Sequence, residues 1–205
     1  MIIKHLETGP LAVNTYIVGD EKAGEAIVVD PGGNADLIKK LLDDNHLKCV
    51  MIYNTHTHWD HIGGNAELKE LTGAPIVTHE DEAPGLANAA AQARFFGMSA
   101  QSSPAADRFV KQDENFNIGE IEFRVIELPG HSPCAVGLVF EGHVIVGDAL
   151  FAGSIGRTDF PGGDFELLIS KIKEQIFTLP PKTIVLPGHG PATTVEREKG
   201  FNPFF

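Results

Sequence analysis

Several residue types that mark particular classes of protein are scarce in this sequence. Its 205 residues include two cysteines, one tryptophan, and 16 lysines and arginines against 28 aspartates and glutamates, a formal net charge of -12 with the nine histidines neutral. The two cysteines, Cys49 and Cys134, do not suggest a disulfide framework. Because the basic residues are scattered, they form no stripe that could follow a phosphate backbone, and we expect no nucleic-acid partner.

Long hydrophobic runs are missing as well. No apolar stretch approaches the ~20 residues that a membrane span needs, and the segment Met1–Glu7 lacks the basic start and long apolar stretch of a signal peptide. We therefore expect no membrane contact and a cytoplasmic location. With 42% apolar and 21% charged residues, the chain can bury a substantial core in one domain or two small ones.

Short apolar segments alternate with helical patterns, which is typical of an α/β fold. The predicted strands are Ile2–Leu6, Val13–Val18, Ala26–Asp30, Cys49–Tyr53, Pro75–Thr78, Ile121–Leu128, Ala135–Glu141, His143–Gly147 and, as the last one, Thr183–Leu186. The predicted helices are one capped by Asn34, with Leu37, Ile38, Leu41 and Leu42 on its buried face, and those over Gly64–Thr72, Asp81–Phe96 and Asp164–Phe177. Gly97–Ala106 is expected to be a mobile loop.

One hexapeptide pattern, L-P-G-H-x-P, occurs twice. Leu128–Pro133 and Leu186–Pro191 share it, and each closes a strand containing valine or isoleucine. The repeat predicts two similarly built halves, each of which delivers a histidine, His131 or His189, from a strand end.

Four potential metal ligands stand within six residues: His56, His58, Asp60 and His61. Residues two apart on a helix point about 200° away from each other, whereas in an extended segment His56 and His58 project from the same side. We therefore predict a strand end that runs into a turn, after which Gly63 and Gly64 free the chain.

Three further candidates, His131, Asp148 and His189, each follow a predicted strand. In α/β folds, binding and catalytic residues commonly lie at such strand ends. Seven ligands are too many for one tetrahedral ion and suit two ions that share a bridge. A carboxylate can bridge two cations, so Asp148 or Asp60 is the candidate bridge and the candidate catalytic carboxylate. Nitrogen and oxygen donors without thiolate suit Zn, Fe or Mn and do not choose among them.

Such a centre would carry net positive charge in an acidic protein, because two divalent cations outweigh two aspartates and a bridging hydroxide. It would attract an anionic substrate. Water held between the cations should lose its proton near pH ~7 and act as a nucleophile, and the cations would stabilise an oxyanion. This predicts hydrolysis of an ester-like bond.

The whole pattern resembles the metallo-β-lactamase superfamily. The resemblance is carried by T-H-x-H-x-D-H at Thr55–His61 and by the glycines before His131, Asp148 and His189. Four more segments, Asn14–Tyr16, Val29–Gly32, Gly156–Pro161 and Asn202–Phe204, resemble the glyoxalase II branch, which hydrolyses S-lactoylglutathione and related thioesters. The resemblance implies an α/β (α+β) fold, a four-layer αββα sandwich, in a single domain over residues 1–205.

The resemblance also implies a role for each predicted ligand. His56, His58 and His131 would hold the first metal, Asp60, His61 and His189 the second, and Asp148 would bridge them. Asp148 argues against a true β-lactamase, in which a cysteine usually binds the second zinc. The chain stops at Phe205, without the C-terminal helical domain that binds glutathione in larger relatives. We therefore expect a thioester hydrolase of looser specificity, similar to short bacterial type II glyoxalases, acting as a monomer or small homo-oligomer on a small anionic thioester.

Two other functions stay open. Glutathione persulfide dioxygenases share a Gly-Arg-Thr-Asp-Phe segment and use one iron at the His56, His58 and His131 type of site with Asp148. A module that binds metal without turnover would hydrolyse nothing.

Three supporting residues each allow two interpretations. Asp30 would either cap local amides in a turn or hold the ligand loop or a ligand imidazole. Arg157 would either anchor a substrate carboxylate or pair with a neighbouring aspartate to hold a loop. Tyr16 would either point its hydroxyl at the substrate or lie in the core.

Overall fold

The computed structural model describes residues 1–205, which form two compact units. Unit 1 comprises Met1–Val110 with Asn117–Ile121, and unit 2 comprises Lys111–Phe116 with Glu122–Phe205. No helix is long and apolar enough to cross a membrane. Cys49 and Cys134 are both buried, and neither forms a disulfide.

Unit 1 contains a six-stranded sheet in the order β1-β2-β3-β4-β5-β6. β1 pairs antiparallel with β2, and β2 with β3, whereas β3 to β6 are parallel. The strands are β1 (Ile2–Thr8), β2 (Val13–Asp20), β3 (Glu25–Val29), β4 (Lys48–Tyr53), β5 (Ile76–His79) and β6 (Arg108–Val110); the helices are α1 (Ala35–Asp44), α2 (Trp59–Ile62), α3 (Asn65–Thr72) and α4 (Ala83–Phe95), the last preceded by a 3-10 turn over Glu80–Glu82.

The core of unit 1 forms where helices cover this sheet. Ile38 and Leu42 of α1 and Leu68 of α3 lie in one buried cluster with strand residues such as Val28 and Ile52. A second cluster joins α2 to α4 through Trp59, Ile62, Leu86, Ala89 and Ala93. The short helix α2 is therefore anchored by apolar packing against α4.

The second sheet has the order β14-β13-β10-β9-β8-β7. The remaining elements are β7 (Asn115–Ile118), β8 (Ile121–Glu127), β9 (Val136–Phe140), β10 (His143–Gly147), β11 (Leu150–Phe151), β12 (Ser154–Ile155), β13 (Ile184–Pro187), β14 (Thr193–Thr194), α5 (Phe165–Lys171), which continues as a π-helical turn over Ile172–Ile176, and α6 (Val195–Phe201). In the core of unit 2, Leu168 and Ile172 pack with Val144, Val146 and Val185 of the central strands.

The predicted fold class is confirmed, because the chain is a mixed α/β protein with two six-stranded sheets, a two-stranded sheet of β11 and β12, and helices. The predicted strands Ala135–Glu141 and His143–Gly147 correspond to β9 and β10, which pair antiparallel as a hairpin. The prediction that Thr183–Leu186 is the last strand is wrong, since the short strand β14 follows it; the helix α6 was not predicted.

Asn34 does not cap α1 with its side chain. It adopts a left-handed conformation (φ 54°), and its Oδ1 accepts a hydrogen bond from the Gly9 amide instead. Leu37, predicted on the buried face of α1, is 53% exposed, because the buried stripe runs through Ala35, Ile38 and Leu42.

The two copies of L-P-G-H-x-P do not belong to two similar halves of the molecule. Both copies follow strands of the second sheet, β8 and β13. The repeat therefore marks two strand ends of one sheet.

Candidate metal centre

The first group of predicted ligands lies where β4 ends in unit 1. His56 and His58 lie in irregular backbone after this strand, and α2 carries Asp60 and His61. The ring centroid of His56 is 4.7 Å from that of His58 and 4.1 Å from that of His61. The Nε2 atom of His61 is 3.7 Å from Oδ2 of Asp60. Unit 1 thus brings its four predicted ligands together, and we call them the first ligand group.

Asp30 contacts this group directly. Its Oδ1 accepts a hydrogen bond from the Thr55 amide (2.7 Å), and its Oδ2 accepts bonds from the Thr55 hydroxyl (2.7 Å) and His61 Nδ1 (3.0 Å). Asp30 itself is buried and has a left-handed φ of 50°. Such a conformation costs on the order of 1 kcal/mol for a non-glycine residue, and here it directs the carboxylate at the ligand loop.

Hydrogen bonds orient three of the predicted imidazoles through Nδ1. His61 Nδ1 donates to Asp30, as described above. His56 Nδ1 lies 3.0 Å from the Thr55 hydroxyl oxygen, which accepts from it because the single hydroxyl hydrogen goes to Asp30. In unit 2, His131 Nδ1 donates to the main-chain oxygen of Arg157 at 2.8 Å. A protonated Nδ1 leaves the lone pair on Nε2, the arrangement typical of metal-binding histidines.

The glycines around the ligand loop allow this loop to lie close to the segment that follows Asp30. Gly63 and Gly64, which were predicted to free the chain after the turn, have ordinary φ values of -60° and -95°. A Cβ at Gly63 would lie 2.6 Å from the Gly32 oxygen, and one at Gly64 would lie 2.8 Å from the Pro31 oxygen. Any side chain at these positions would push α2 away from the segment that follows Asp30.

The second group of predicted ligands, His131, Asp148 and His189, lies in unit 2. These residues follow β8, β10 and β13, so all three come from loops after the carboxyl ends of strands in the second sheet. Oδ2 of Asp148 is 3.7 Å from Nε2 of His131 and also 3.7 Å from Nε2 of His189. The carboxylate oxygen of Asp148 is thus equally close to a ring nitrogen of each histidine.

The loop that follows β12 packs against this second ligand group. A Cβ at Gly156 would lie 1.8 Å from the main-chain oxygen of Asp148 and 3.0 Å from Nδ1 of His131. Only glycine can bring the backbone this close to both predicted ligands.

The side chain of Arg157 engages its own loop. Its Nε and Nη2 atoms each donate to Asp159 at 2.7 Å, and its guanidinium lies 3.8 Å from the ring centroid of Phe160. The hydrogen bonds to Asp159 raise the pKa of Arg157 and lower that of Asp159. These contacts are those of a residue that holds a loop, whose main chain in turn orients His131.

Tyr16 lies in the core of unit 1, with 4% of its surface exposed. Burial raises its pKa above the ordinary value of 10; a hydrogen bond with Asn14 opposes this rise, and the charge of Asp30 adds to it. Asn14 Oδ1 is also 2.6 Å from His5 Nε2. The raised pKa favours the protonated phenol.

The raised pKa of Tyr16 predicts a loss of stability in alkali. Below pH 10 the phenol is protonated in both the folded and the unfolded chain; above it only the unfolded chain ionises, so unfolding becomes easier by about 1.4 kcal/mol per pH unit. Urea unfolding of the wild type and Tyr16→Phe between pH 8 and 11 measures this effect. The variant should lose less stability above pH 10, and equal slopes for the two proteins would contradict the prediction.

Sequence reasoning missed two further carboxylates that act on these loops. Glu82, just before α4, accepts a hydrogen bond from the Thr57 amide between His56 and His58. In unit 2, the buried carboxylate of Glu198 in α6 also accepts hydrogen bonds. One comes from the Gly153 amide between β11 and β12, and another from the side-chain amide of Asn202, which follows α6. No motif marks Glu82 or Glu198, although Asn202 belongs to the Asn202–Phe204 segment that resembles the glyoxalase II branch.

The donors fit divalent metal ions. Both ligand groups consist of imidazole nitrogens and carboxylate oxygens, and three of the imidazoles have Nδ1 engaged in a hydrogen bond that directs Nε2 away from the protein acceptor.

Comparison with known proteins shows the family. The model of the metallo-β-lactamase superfamily matches residues 8–189, and this chain belongs to that superfamily. The probable metallo-hydrolase YqgX of Bacillus subtilis is 36% identical over 206 residues, covering 98% of this chain and 96% of that protein. The hydroxyacylglutathione hydrolase GloC of Haemophilus influenzae is 34% identical over 195 residues, covering 93% and 92%.

Solved structures agree with this assignment. BLEG-1, a B3 metallo-β-lactamase, has a TM-score of 0.92 at 36% identity and covers 99% of both chains. TTHA1623, solved in a di-iron-bound form, has a TM-score of 0.89 at 35% identity, with 98% and 100% covered. ETHE1 from Myxococcus xanthus has a TM-score of 0.85 at 28% identity, with 99% and 84% covered.

Proposed function

We propose that this protein is a metal-dependent thioester hydrolase whose substrate class includes S-lactoylglutathione, with the two ligand groups together holding two divalent ions. His56, His58 and His131 would hold one ion, Asp60, His61 and His189 the other, and Asp148 would bridge them. The observation that carries the proposal is the equal distance of 3.7 Å from Asp148 Oδ2 to the two imidazoles beside it. The di-iron form of TTHA1623 supports two ions, and the name of the 34% identical GloC supports the substrate class.

When bound, a pair of such ions would lower the pKa of water, polarise the thioester carbonyl and stabilise an oxyanion. The protein's own residues supply the framework for this chemistry. Asp30, Thr55 and the Arg157 carbonyl hold imidazoles in one orientation, so little reorganisation is needed during the reaction. The leaving thiolate needs no strong acid, because a thiol has a pKa of about 8.5.

A second candidate function is oxidation of glutathione persulfide at a single iron. The likeness to ETHE1 fits this alternative. It would use the His56, His58 and His131 type of site with Asp148 and would consume oxygen.

Metal analysis combined with three assays tests these functions. Purified protein is analysed for Zn, Fe and Mn, then assayed for S-lactoylglutathione hydrolysis, oxygen uptake with glutathione persulfide, and hydrolysis of a β-lactam panel, the last because of the likeness to BLEG-1. Two ions per chain with thioester hydrolysis, lost after chelation and restored by metal, is the expected result. One iron with persulfide-dependent oxygen uptake would replace the proposal with the dioxygenase. Bound metal without turnover in any of these assays would leave a binding module.

A further inference from the structure

We propose that Glu82 is a positioning residue for the metal ligands His56 and His58, acting through Thr57; this inference rests on the proposed function. Glu82 lies outside the ligand motif, at the junction of the 3-10 turn and α4, and only 3% of its surface is exposed. A buried carboxylate is costly unless its oxygens are hydrogen-bonded, so its partners indicate what it does.

Its partner is the residue between the two histidines. Oε2 of Glu82 accepts a hydrogen bond from the Thr57 amide at 2.9 Å. The Thr57 hydroxyl lies 2.9 Å from the same Oε2 and 2.8 Å from the main-chain oxygen of Glu82, and donates to this pair of oxygens. Both polar hydrogens of Thr57 are therefore directed at Glu82.

Glu82 does not use its carboxylate to cap its own helix. It occupies the N-cap position of α4, and its side chain makes no capping bond there. Its Oε2 atom accepts from the ligand loop instead.

The body of α4 holds the same loop at two more points. Gln92 accepts a hydrogen bond from the Trp59 amide (3.2 Å) and donates to the Thr57 carbonyl (3.4 Å). A Cβ at Gly85 would lie 2.0 Å from the Thr57 hydroxyl, so the helix approaches the loop closely only because residue 85 is glycine. The main chain on both sides of His58 is thus held by one helix.

Through these contacts, the position of α4 affects the distance between the imidazole rings of His56 and His58. His56 and His58 flank Thr57, and a shift of that residue moves both rings relative to each other. Groups that orient metal ligands in this way typically change metal affinity by about 10- to 100-fold when they are removed.

Three variants test the proposal. Glu82→Ala removes the acceptor, Glu82→Gln keeps an acceptor of the same shape without the charge, and Glu80→Ala changes an exposed glutamate in the same turn as a matched control. Chelator-stripped proteins are titrated with Co²⁺ while the visible absorption of the bound ion is recorded. We expect Glu82→Ala to bind Co²⁺ about 10- to 100-fold more weakly with an altered spectrum, Glu82→Gln to recover most of the affinity, and Glu80→Ala to match the wild type.

A purely structural role for Glu82 gives a different result. In that case Glu82→Ala would lower the melting temperature of the metal-free and metal-loaded proteins equally, and Co²⁺ affinity would be unchanged, which would overturn the proposal. Gly85→Ala is a second variant that leaves the carboxylate in place; it should weaken Co²⁺ binding by displacing Thr57, and wild-type affinity in it would also count against the proposal. Because Co²⁺ binding is measured without substrate, failure of the wild type to hydrolyse thioesters would overturn only the proposed function.

Discussion

Replacing Asp148 by alanine is expected to lower kcat/KM for thioester hydrolysis by on the order of 10³-fold, equivalent to about 4 kcal/mol of transition-state stabilisation. Oδ2 of Asp148 lies 3.7 Å from Nε2 of both His131 and His189, so its removal takes a ligand from both proposed metal positions at once. Metal content and steady-state kinetics, measured on the same preparation, test this expectation. Glu70→Ala removes an exposed negative charge from α3 and serves as the control.

Asp60→Ala distinguishes the bridge from a ligand of one ion. Asp60 lies 3.7 Å from Nε2 of His61 in the first ligand group, and its removal should empty one metal position and collapse hydrolysis. Full activity in Asp60→Ala would mean that one ion suffices. Retention of two ions and of activity in Asp148→Ala would contradict the role of Asp148 as the bridge.

Gly156→Ala is expected to have the second largest effect, although residue 156 has no side chain to contribute to chemistry. The new Cβ would lie 1.8 Å from the main-chain oxygen of Asp148, and a backbone atom cannot move aside as a flexible side chain can. Overpacking of this kind costs about 1–3 kcal/mol of stability. The forced shift of Asp148 and His131 should lower kcat on the order of 10²-fold, because displacements near 1 Å at a reacting centre cost about that much.

The matched control for this variant is Gly200→Ala in α6. A Cβ at Gly200 meets no atom within 4 Å, so this variant should unfold at the wild-type temperature or slightly above it and keep full activity. Thermal unfolding, metal content and kcat are measured for both variants. If Gly156→Ala behaves like Gly200→Ala, the loop after β12 does not hold the second ligand group.

Much of the fold was predictable because hydrophobic periodicity records which faces are buried. The apolar run Cys49–Tyr53 predicted a strand, and β4 lies at that place as an inner strand of its sheet. Predictions that depended on a single residue fared worse. Asn34 has the right chemistry for an N-cap, but its side chain reaches Gly9, distant in sequence, because the chain folds back there.

Predictions about the candidate site likewise succeeded where they used local patterns and failed where long-range contacts decide. The histidine spacing identified the first ligand group, since adjacent ligands need no long-range information. The repeat of L-P-G-H-x-P identified His131 and His189 as strand-end residues but suggested the wrong arrangement, because a local pattern does not specify which sheet a strand joins. Glu82 left no local signal at all, since its partner Thr57 is 25 residues away.

By itself, the sequence determined the donor types of the predicted ligands, imidazole nitrogens and carboxylate oxygens, because donor type is a property of each side chain. Only the tertiary structure decided which atom each donor faces. Three contacts join distant parts of the chain: the approach of Asp148 to two imidazoles, the hydrogen bond between Asp30 and His61, and the hydrogen bond between Glu82 and Thr57. Such contacts are set by the packing of helices on sheets to within a fraction of an ångström, which no local pattern encodes.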